Sequence, residues 1–367
     1  MDKIKVFLIK MGKKNKFLQN IIIEFAYLTV VLNEKCNLKK LNPYIHNYME
    51  MFLTSDQLND RKYRKKIIKD LIMARFFFGI SYEEYFLFDL ENKDRAVWKD
   101  YVGLFERFDS ISKICSEEER MLYRNKRNTY SMYKQFYKRE LISVVDDSDK
   151  NAFYSFISRN KSFICKPIQS SCGRRIRIIN IDDENNPDEL FKALCEDKGS
   201  VIEEIIQQDE KMASFHKESV NTVRVTTFYD NGNLIKMFAT LRIGMGDSIV
   251  DNASAGGIAA SVDVSNGVVI THGFISHHCR PARYERHPES NALIKGNVIP
   301  KWDELMSVID ELVKVNPKQK IVGWDMALTN EGWIMIEANS FPTFTTVQVC
   351  NEKGIRELFN QTVGKYV

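Results

Sequence analysis

The spacing of apolar residues divides the chain into two parts. Residues 1 to about 140 contain few glycines or prolines, and apolar residues recur at helical spacing, as in Ile67, Ile68, Leu71 and Ile72. We therefore expect a mainly helical N-terminal region. Aromatic residues are dense there, but aromatic side chains at this spacing more often fill a core than bind bases, so we expect no nucleic-acid partner.

From about residue 150 onward the pattern changes to short β-rich runs separated by turn signals such as Asn231-Gly232. The predicted strands are Ser162–Lys166, Ile176–Ile179, Ser200–Ile206, Thr222–Phe228, Leu234–Ile243, Gly267–Ile270, Met326–Leu328 and Trp333–Glu337. Helices are predicted at Pro187–Glu196, with Asn186 as the N-cap, and at Trp302–Val315. Strands joined by hairpin turns, with helices packed on them, predict an α+β architecture.

Composition excludes several classes of protein. Of 367 residues, 44% are hydrophobic and 28% charged, with 17 Gly and 8 Pro, which excludes collagen-like, Pro-rich and mostly disordered chains. The seven cysteines are scattered and form no C-x-x-C motif. That pattern is typical of reduced thiols rather than of a secreted disulfide framework, so we expect a cytoplasmic protein.

Basic residues are concentrated near the N-terminus. Residues 1–75 contain sixteen Lys and Arg against seven Asp and Glu. The apolar stretch Phe17–Leu32 lies within them; it is shorter than a bilayer span and includes Gln19, Asn20 and Glu24, which favours a buried or interfacial helix. Two interpretations stay open: solvated helix faces, or peripheral contact with an anionic membrane or a lipid-linked saccharide.

Two polar segments have residue types that suit a nucleotide. Lys166 ends a predicted strand, and the small-residue loop Ser170–Arg175 follows; such a loop can fold over phosphates, although a basic hairpin would look the same. About 35 residues later, Glu203 and Glu204 lie at another strand end. Backbone groups there can meet an adenine edge and carboxylates can bind ribose hydroxyls, whereas the alternative is an edge strand ending in charges.

A third segment offers oxygen ligands. Asp325 begins one predicted strand, and Glu337 and Asn339 end the next, with a turn between the two strands. A hairpin brings the three side chains together, and the spacing of two points Glu337 and Asn339 to the same face. Such oxygen donors suit Mg²⁺, which bridges nucleotide phosphates. Simple charge pairing stays open as an alternative.

These three segments, in this order, resemble the ATP-grasp superfamily. From about residue 150 to 342 the chain looks like the sugar-transfer-associated ATP-grasp family, which is named for the genes of polysaccharide biosynthesis that accompany it. The motifs that carry the resemblance are Ser219–Thr226, Leu241–Gly244, Val250–Ile258, Val262-Asp263, His287-Pro288, Ile299–Trp302 and Val322–Asp325. The helical segment around Ser81–Tyr85 resembles this family more loosely.

The resemblance implies an ATP-grasp fold, in which two α/β subdomains clasp ATP. The predicted organisation is a helical, basic region over 1–140, a first subdomain with the phosphate loop over 141–205, a second with the metal site over 206–350, and a C-terminal helix over 351–367.

The resemblance also implies a role for particular residues. ATP would be bound by Lys150, Lys166, Ser170, Ser171, Gly173, Glu203, Glu204 and Ile206, and one or two Mg²⁺ by Asp325, Glu337 and Asn339. Arg224, with Asn221, would face the γ-phosphate. Arg242 and the loop 251–257 would approach the second substrate.

The implied activity is an ADP-forming carboxylate–amine ligation through an acyl phosphate. The substrates would be a small carboxylate and an amine or sugar, on a sugar or cell-surface polysaccharide precursor such as one for a capsule. Two alternatives stay open: a phosphotransferase that acts on a sugar hydroxyl, and a non-catalytic partner of glycosyltransferases. The set of Lys166, Arg224, Asp325, Glu337 and Asn339 argues against the last.

Overall fold

The computed structural model describes residues 9–35, 43–168, 175–184, 186–248, 256–275 and 281–366. They divide into two compact units. Of the described residues, the first unit contains those up to residue 111, residues 281–282 and those from residue 343 onward, and the second contains those within 112–275 and 283–342. The division separates the helical N-terminal region from most of the β-rich part of the chain.

The first unit is helical, as the apolar spacing predicts. Its N-terminal helices are α1 Lys16–Lys35, α2 Pro43–Phe52, α3 Ser55–Asn59, α4 Arg61–Phe77, α5 Tyr82–Leu87 and α6 Leu104–Ile114. Local signals set two of the starts, because Thr54 and Ser81 each form a capping box with the residue three positions later. In the part of the chain that the structure describes, the helices are all too short or too polar to cross a membrane.

A four-stranded antiparallel sheet, sheet 1, begins the β-rich part of the second unit. Its strands are β1 Leu141–Val144, β2 Ser162–Pro167, β3 Arg177–Asn180 and β4 Ser200–Glu204, in the order β1-β4-β2-β3. Helices α9 Lys150–Arg159 and α10 Pro187–Cys195 cover one face. Phe153, Phe163 and Leu190 are among the core residues between these helices and the sheet. Pro187 lies in the first turn of α10, and Asn186 caps it as predicted.

A second sheet, sheet 2, has seven strands in the order β11-β10-β5-β6-β7-β8-β9. The strands are β5 Thr222–Asp230, β6 Asn233–Ile243, β7 Ile258–Val262, β8 Gly273–Ile275, β9 Ala282–Tyr284, β10 Ile321–Thr329 and β11 Gly332–Asn339. Helix α12, Trp302–Val315, packs on one face. The remaining helices of the unit are α7 Glu117–Arg124, α8 Lys126–Tyr137 and α11 Glu210–Ala213.

The turn signals in the sequence are correct for both long hairpins of sheet 2. Asn231 and Gly232 adopt positive φ angles of 50° and 82° between β5 and β6, which suits a two-residue hairpin turn. The predicted strand at Gly267–Ile270 is wrong: Val268 and Val269 each make an isolated β-bridge instead, and Gly267, with a φ of 75°, follows a turn. The prediction that Asp325 begins a strand is also wrong, since β10 begins at Ile321.

Two short helices, α13 Thr345–Asn351 and α14 Arg356–Gln361, are followed by a 3₁₀ helix, Val363–Tyr366, and all three belong to the first unit. Arg356 pairs with Glu106 of α6, its Nη2 lying 2.7 Å from Oε2. The side chain of Gln348 bonds the backbone of Val102 through both its oxygen and its nitrogen. The C-terminal helices are therefore fixed to the N-terminal ones by polar contacts as well as by packing.

Candidate active site

Sheet 2 has one apolar and one polar face. Val225 of β5 and Leu241 of β6 belong to the core that also contains Leu305 of α12. Because side chains alternate along a strand, the residues between them point to the opposite face. That polar face carries, from β5 and β6, Thr222, Arg224, Thr226, Thr240 and Arg242. The two arginines therefore project from the same side of the sheet.

Asp325 of β10 joins these two arginines. Arg224 donates to Asp325 Oδ1 through Nε at 2.5 Å and to Oδ2 through Nη2 at 2.6 Å, and Arg242 donates to Oδ2 through Nη1 at 2.9 Å. Burial alone raises the pKa of Asp325, but the two adjacent guanidinium groups outweigh burial and lower it. These three residues, the arginine–aspartate cluster, combine two formal positive charges with one negative charge.

Glu337 and Asn339 of β11 lie beside this cluster. Glu337 is directly opposite Asp325 across the β10–β11 ladder, and Asn339 Nδ2 lies 3.5 Å from Asp325 Oδ2. Both side chains are half-buried. The structure therefore brings the three residues of the predicted metal site to one sheet face, while their role as ligands stays a prediction.

The donor set fits a magnesium ion that binds together with phosphate. Two carboxylates and one amide oxygen are the hard ligands that Mg²⁺ prefers. The charge of Asp325 is already balanced by Arg224 and Arg242, so these side chains alone offer a dication little net attraction. Within the described ranges the fold also assembles no group of three or more Asp, Glu, His or Cys that suits a metal. Anionic ligands from a nucleotide would complete the site.

Lys126 is a residue near this site that the sequence argument missed. It begins α8, whose N-cap is Asn125. Burial lowers the pKa of Lys126, and the negative charge of Glu337 opposes that effect. Asn125 signals a helix start in the sequence, but the electrostatic interaction of Lys126 with Glu337 depends on the tertiary structure, which no local pattern encodes.

A second group of charges lies on sheet 1. Phe163 and Cys165 face the helices, so Lys166 points to the other face, as does Glu203 of β4. Lys166 forms an ion pair with the buried carboxylate of Glu203. Arg139, also missed from sequence, donates through Nε to Glu203 Oε2 at 2.9 Å and through Nη1 to the carbonyl of Met335 at 2.8 Å. Arg139 therefore links sheet 1 to β11 of sheet 2.

The structure does not bring Lys150 to Lys166. Lys150 begins α9, and its ammonium lies 2.7 Å from Asp188 of α10, in the helix layer on the opposite face of sheet 1. Glu204 Oε2 accepts from the backbone N–H of Glu140 at 2.5 Å, so this carboxylate ties β4 to the start of β1. Ile206 lies beyond the end of β4 and is half-buried.

Asn221 has a place inside the fold rather than on the polar face. Its side chain has no exposed surface. Its Nδ2 donates to Gln208 Oε1 at 3.1 Å and to the carbonyl of His216 at 2.7 Å, and its Oδ1 accepts from the N–H of Gly244 at 3.2 Å. These bonds account for Asn221 structurally, because they join β5, β6 and the segment before β5. The expectation that Asn221 faces a γ-phosphate stays a prediction.

Two predicted loops lie wholly or mostly outside the described residues. The first contains Ser170, Ser171 and Gly173 of the predicted phosphate loop. The second is residues 251–255 of the predicted acceptor loop 251–257. Their assignments stay predictions.

Comparison with known proteins places the chain in a family. The family model described as sugar-transfer associated ATP-grasp matches residues 110–364, more than half of the chain. This match confirms the resemblance and the fold predicted from sequence. None of the curated proteins matches the sequence at a significant level.

Three solved structures are similar at low sequence identity. D-alanyl-alanine synthetase A from Vibrio cholerae O1 biovar eltor str. N16961 has 14% identity and a TM-score of 0.43, covering 69% of this chain and 67% of its own. The L-amino acid ligase from Bacillus licheniformis has 11% identity and a TM-score of 0.37, with 66% and 51% covered. N5-carboxyaminoimidazole synthetase from Staphylococcus aureus, complexed with ADP, has 14% identity and a TM-score of 0.36, with 61% and 46% covered. The chain spans about half the length of the last two.

Proposed function

Because this chain belongs to the sugar-transfer-associated ATP-grasp family, we propose that it joins a carboxylate to an amine on a sugar or cell-surface polysaccharide precursor, converting ATP to ADP. The arginine–aspartate cluster is the observation that carries the proposal. Two guanidinium groups held on a largely buried sheet face suit the negative charge that develops when a phosphoryl group is transferred. Glu337 and Asn339 extend the same face with oxygen donors.

The reaction follows from the chemistry of a carboxylate, which is a poor electrophile. One carboxylate oxygen attacks the γ-phosphorus of ATP, the bond to the bridging oxygen breaks, and ADP leaves. The amine nitrogen then attacks the acyl carbon of the resulting acyl phosphate, inorganic phosphate leaves, and the nitrogen loses a proton as the amide forms. Arg224 and Arg242 balance charge in both steps, and Asp325 positions both guanidinium groups.

The nucleotide would lie along the other charged group. Lys166 would hold phosphate oxygens, oriented by Glu203, which Arg139 holds in turn. Glu204 and Ile206 would line the adenine and ribose pocket. Asp325, Glu337 and Asn339 would hold Mg²⁺, which when bound would neutralise part of the phosphate charge.

Isotope transfer provides a sharp test. The protein is incubated with ATP, pooled amino acids and uronic acids whose carboxylates carry ¹⁸O, and the products are analysed by mass spectrometry. The proposal predicts ADP, an amide formed with loss of water, and one ¹⁸O atom in the inorganic phosphate. A product that gains a phosphoryl group without phosphate release would identify the phosphotransferase instead. Asp325→Asn serves as the inactive variant, and Arg159→Ala, at an exposed arginine paired with Glu140, is the matched control.

A further inference from the structure

Helix α1 carries an apolar stripe on its solvent side. The stripe residues recur at intervals of three and four, which places them on one face of the helix. They are Phe17, Ile21, Phe25, Leu28 and Leu32, and all are exposed. Phe17 is 74% and Phe25 70% exposed, whereas Ile23 and Val30 on the opposite face are buried where α1 packs against α4. The α1 stripe is therefore separate from the surface that holds the helix in the fold.

Basic side chains surround one end and one side of the α1 stripe. The exposed residues Lys10, Lys13, Lys14 and Lys16 precede it. Along the helix, the ammonium groups of Lys65 and Lys69 from α4 lie 5.5 and 5.3 Å from the ring centre of Tyr27. Glu24, at the edge of the stripe, forms an ion pair with Lys69. An apolar surface is thus combined with a local excess of positive charge.

We propose that the α1 stripe docks on an anionic lipid surface, with α1 lying in the plane of that surface. An interfacial helix of this kind buries aromatic and aliphatic side chains at the acyl boundary while lysines contact the headgroups. A second copy of the chain fits less well, because it carries the same excess of lysines beside its stripe and not the opposite charge that an anionic surface offers. This inference concerns attachment and is independent of the proposed ligation.

The basic residues of the N-terminal region differ in whether they contact other residues of the first unit. Lys66 lies 3.6 Å from Asp70 and donates to the carbonyl of Glu91 at 3.2 Å, and Lys69 pairs with Glu24. These α4 lysines therefore contribute to contacts within the unit. The four exposed lysines from Lys10 to Lys16 are therefore the better candidates for contact with lipid headgroups.

Vesicle binding tests the apolar part of the proposal. The full chain is sedimented with vesicles of phosphatidylglycerol and phosphatidylcholine in a 3:7 ratio. The triple variant Phe17→Ala, Phe25→Ala, Leu28→Ala should bind at least about tenfold more weakly. A matched variant changes three exposed apolar residues elsewhere in the same unit, Tyr44→Ala, Met51→Ala and Phe108→Ala, and should bind as the parent does. Equal binding by the stripe variant and the parent would overturn the proposal.

A second pair of variants tests whether the lysines before the α1 stripe contribute to lipid binding. Lys10, Lys13, Lys14 and Lys16 changed to Gln should weaken binding by about a hundredfold or more at low salt. The control changes four exposed lysines of the second unit, Lys192, Lys217, Lys295 and Lys318, to Gln and should retain binding. Binding should also fall with added salt and be weak on pure phosphatidylcholine.

Insertion is measured in the otherwise unchanged chain, so the proposal stays testable if a multiple variant does not fold. In Phe25→Trp, brominated lipids should quench the new tryptophan, whereas Phe108→Trp should show no added quenching. A parent that fails to bind anionic vesicles at low salt would overturn the proposal. So would sedimentation equilibrium showing a dimer that the stripe variant abolishes while vesicle binding persists.

Discussion

Two buried carboxylates, Glu84 in the first unit and Asp325 in the second, are held by different kinds of donors. Glu84 Oε2 accepts from the backbone N–H groups of Ser81 and Leu104, at 2.9 and 2.8 Å, and its Oε1 accepts from the Thr345 hydroxyl at 2.7 Å. Asp325 instead accepts from the guanidinium groups of Arg224 and Arg242. Both carboxylates are almost wholly buried, so burial does not distinguish them.

The groups that surround a buried carboxylate indicate whether it has a structural role or is a candidate for a functional one. The backbone N–H groups and the hydroxyl that donate to Glu84 are neutral. They cap a helix and join segments of the chain, and Glu84 also interacts electrostatically with the buried Arg107. Two cationic side chains converging on one carboxylate, as around Asp325, place charge on a sheet face where an anion can be bound. Substitutions at the two positions should therefore separate activity from stability.

The largest effect is expected for Asp325→Asn. The amide keeps the shape but loses the charge that holds both guanidinium groups, so ADP release should fall at least about a thousandfold. The free energy of unfolding should fall by about 3 kcal/mol, because two buried cations lose their counter-charge. Coupled-assay turnover and denaturant titration measure the two quantities. A folded Asp325→Asn variant with wild-type turnover would show that Asp325 has no role in catalysis.

Glu337→Gln should have the next largest effect. Glu337 is half-buried, so the fold should change little, while turnover should fall about a hundredfold and saturate only at higher Mg²⁺ concentration. A magnesium titration of parent and variant measures the shift. A variant with the parent's turnover and the parent's magnesium dependence would refute the metal role and leave charge pairing as the explanation of this face.

Glu203 is a third buried carboxylate that can be compared with Glu84 and Asp325. Lys166→Ala removes the ammonium group that pairs with it. Loss of a charge-assisted phosphate contact, typically about 1.5–3 kcal/mol, should weaken ATP binding by about ten- to a hundredfold. Calorimetry measures the affinity. Lys161→Ala, at an exposed lysine that precedes the same strand, is the control. If Lys166→Ala binds ATP with unchanged affinity, Lys166 has a structural role, as Glu84 does, and does not bind the nucleotide.

The sequence pattern was sufficient to predict much of the fold and the grouping of some of the site residues. Local signals such as Asn231-Gly232 and Asn186-Pro187 specify turns and helix starts, and the spacing of Glu337 and Asn339 gives their shared face. Short strands such as β8 carry too few residues to show alternation. The pairing of Asp325 with two arginines from other strands depends on register across sheet 2, which composition along one strand does not reveal.

The same limit explains the contacts that the sequence did not reveal. Asn221 lies in a motif shared with the family, but its amide is used by Gln208, His216 and Gly244, contacts set by how β5 meets the chain before it. Arg139 lies outside every motif, yet it links Glu203 to the carbonyl of Met335. Residue type and spacing along the chain do not reveal long-range hydrogen bonds of this kind.

Glu84→Gln should show the converse of Asp325→Asn. The neutral amide keeps one acceptor oxygen but presents an NH₂ group to donors, so the free energy of unfolding should fall by about 1–3 kcal/mol. Turnover per folded molecule should stay within about twofold of the parent. Denaturant titration and activity at a temperature well below the unfolding transition check both statements. A hundredfold loss of turnover at unchanged stability would contradict the structural role of Glu84.

The smallest effect concerns acid stability and follows from the sign of the pKa shift at Asp325. The guanidinium groups lower the pKa of this carboxyl in the folded state, so its ionised form stabilises the fold at neutral pH. That stabilisation is complete above the unfolded value of about 3.9 and is lost as the pH falls through the lower folded value. Asp325→Asn lacks this titration, so its stability deficit relative to the parent should narrow as the pH is lowered from 5 towards 3. Glu311→Gln, at an exposed carboxyl paired with Lys314, should follow the parent. A deficit that stays constant over this range would mean that the loss in Asp325→Asn comes from altered hydrogen bonding, and would weaken the contrast with Glu84.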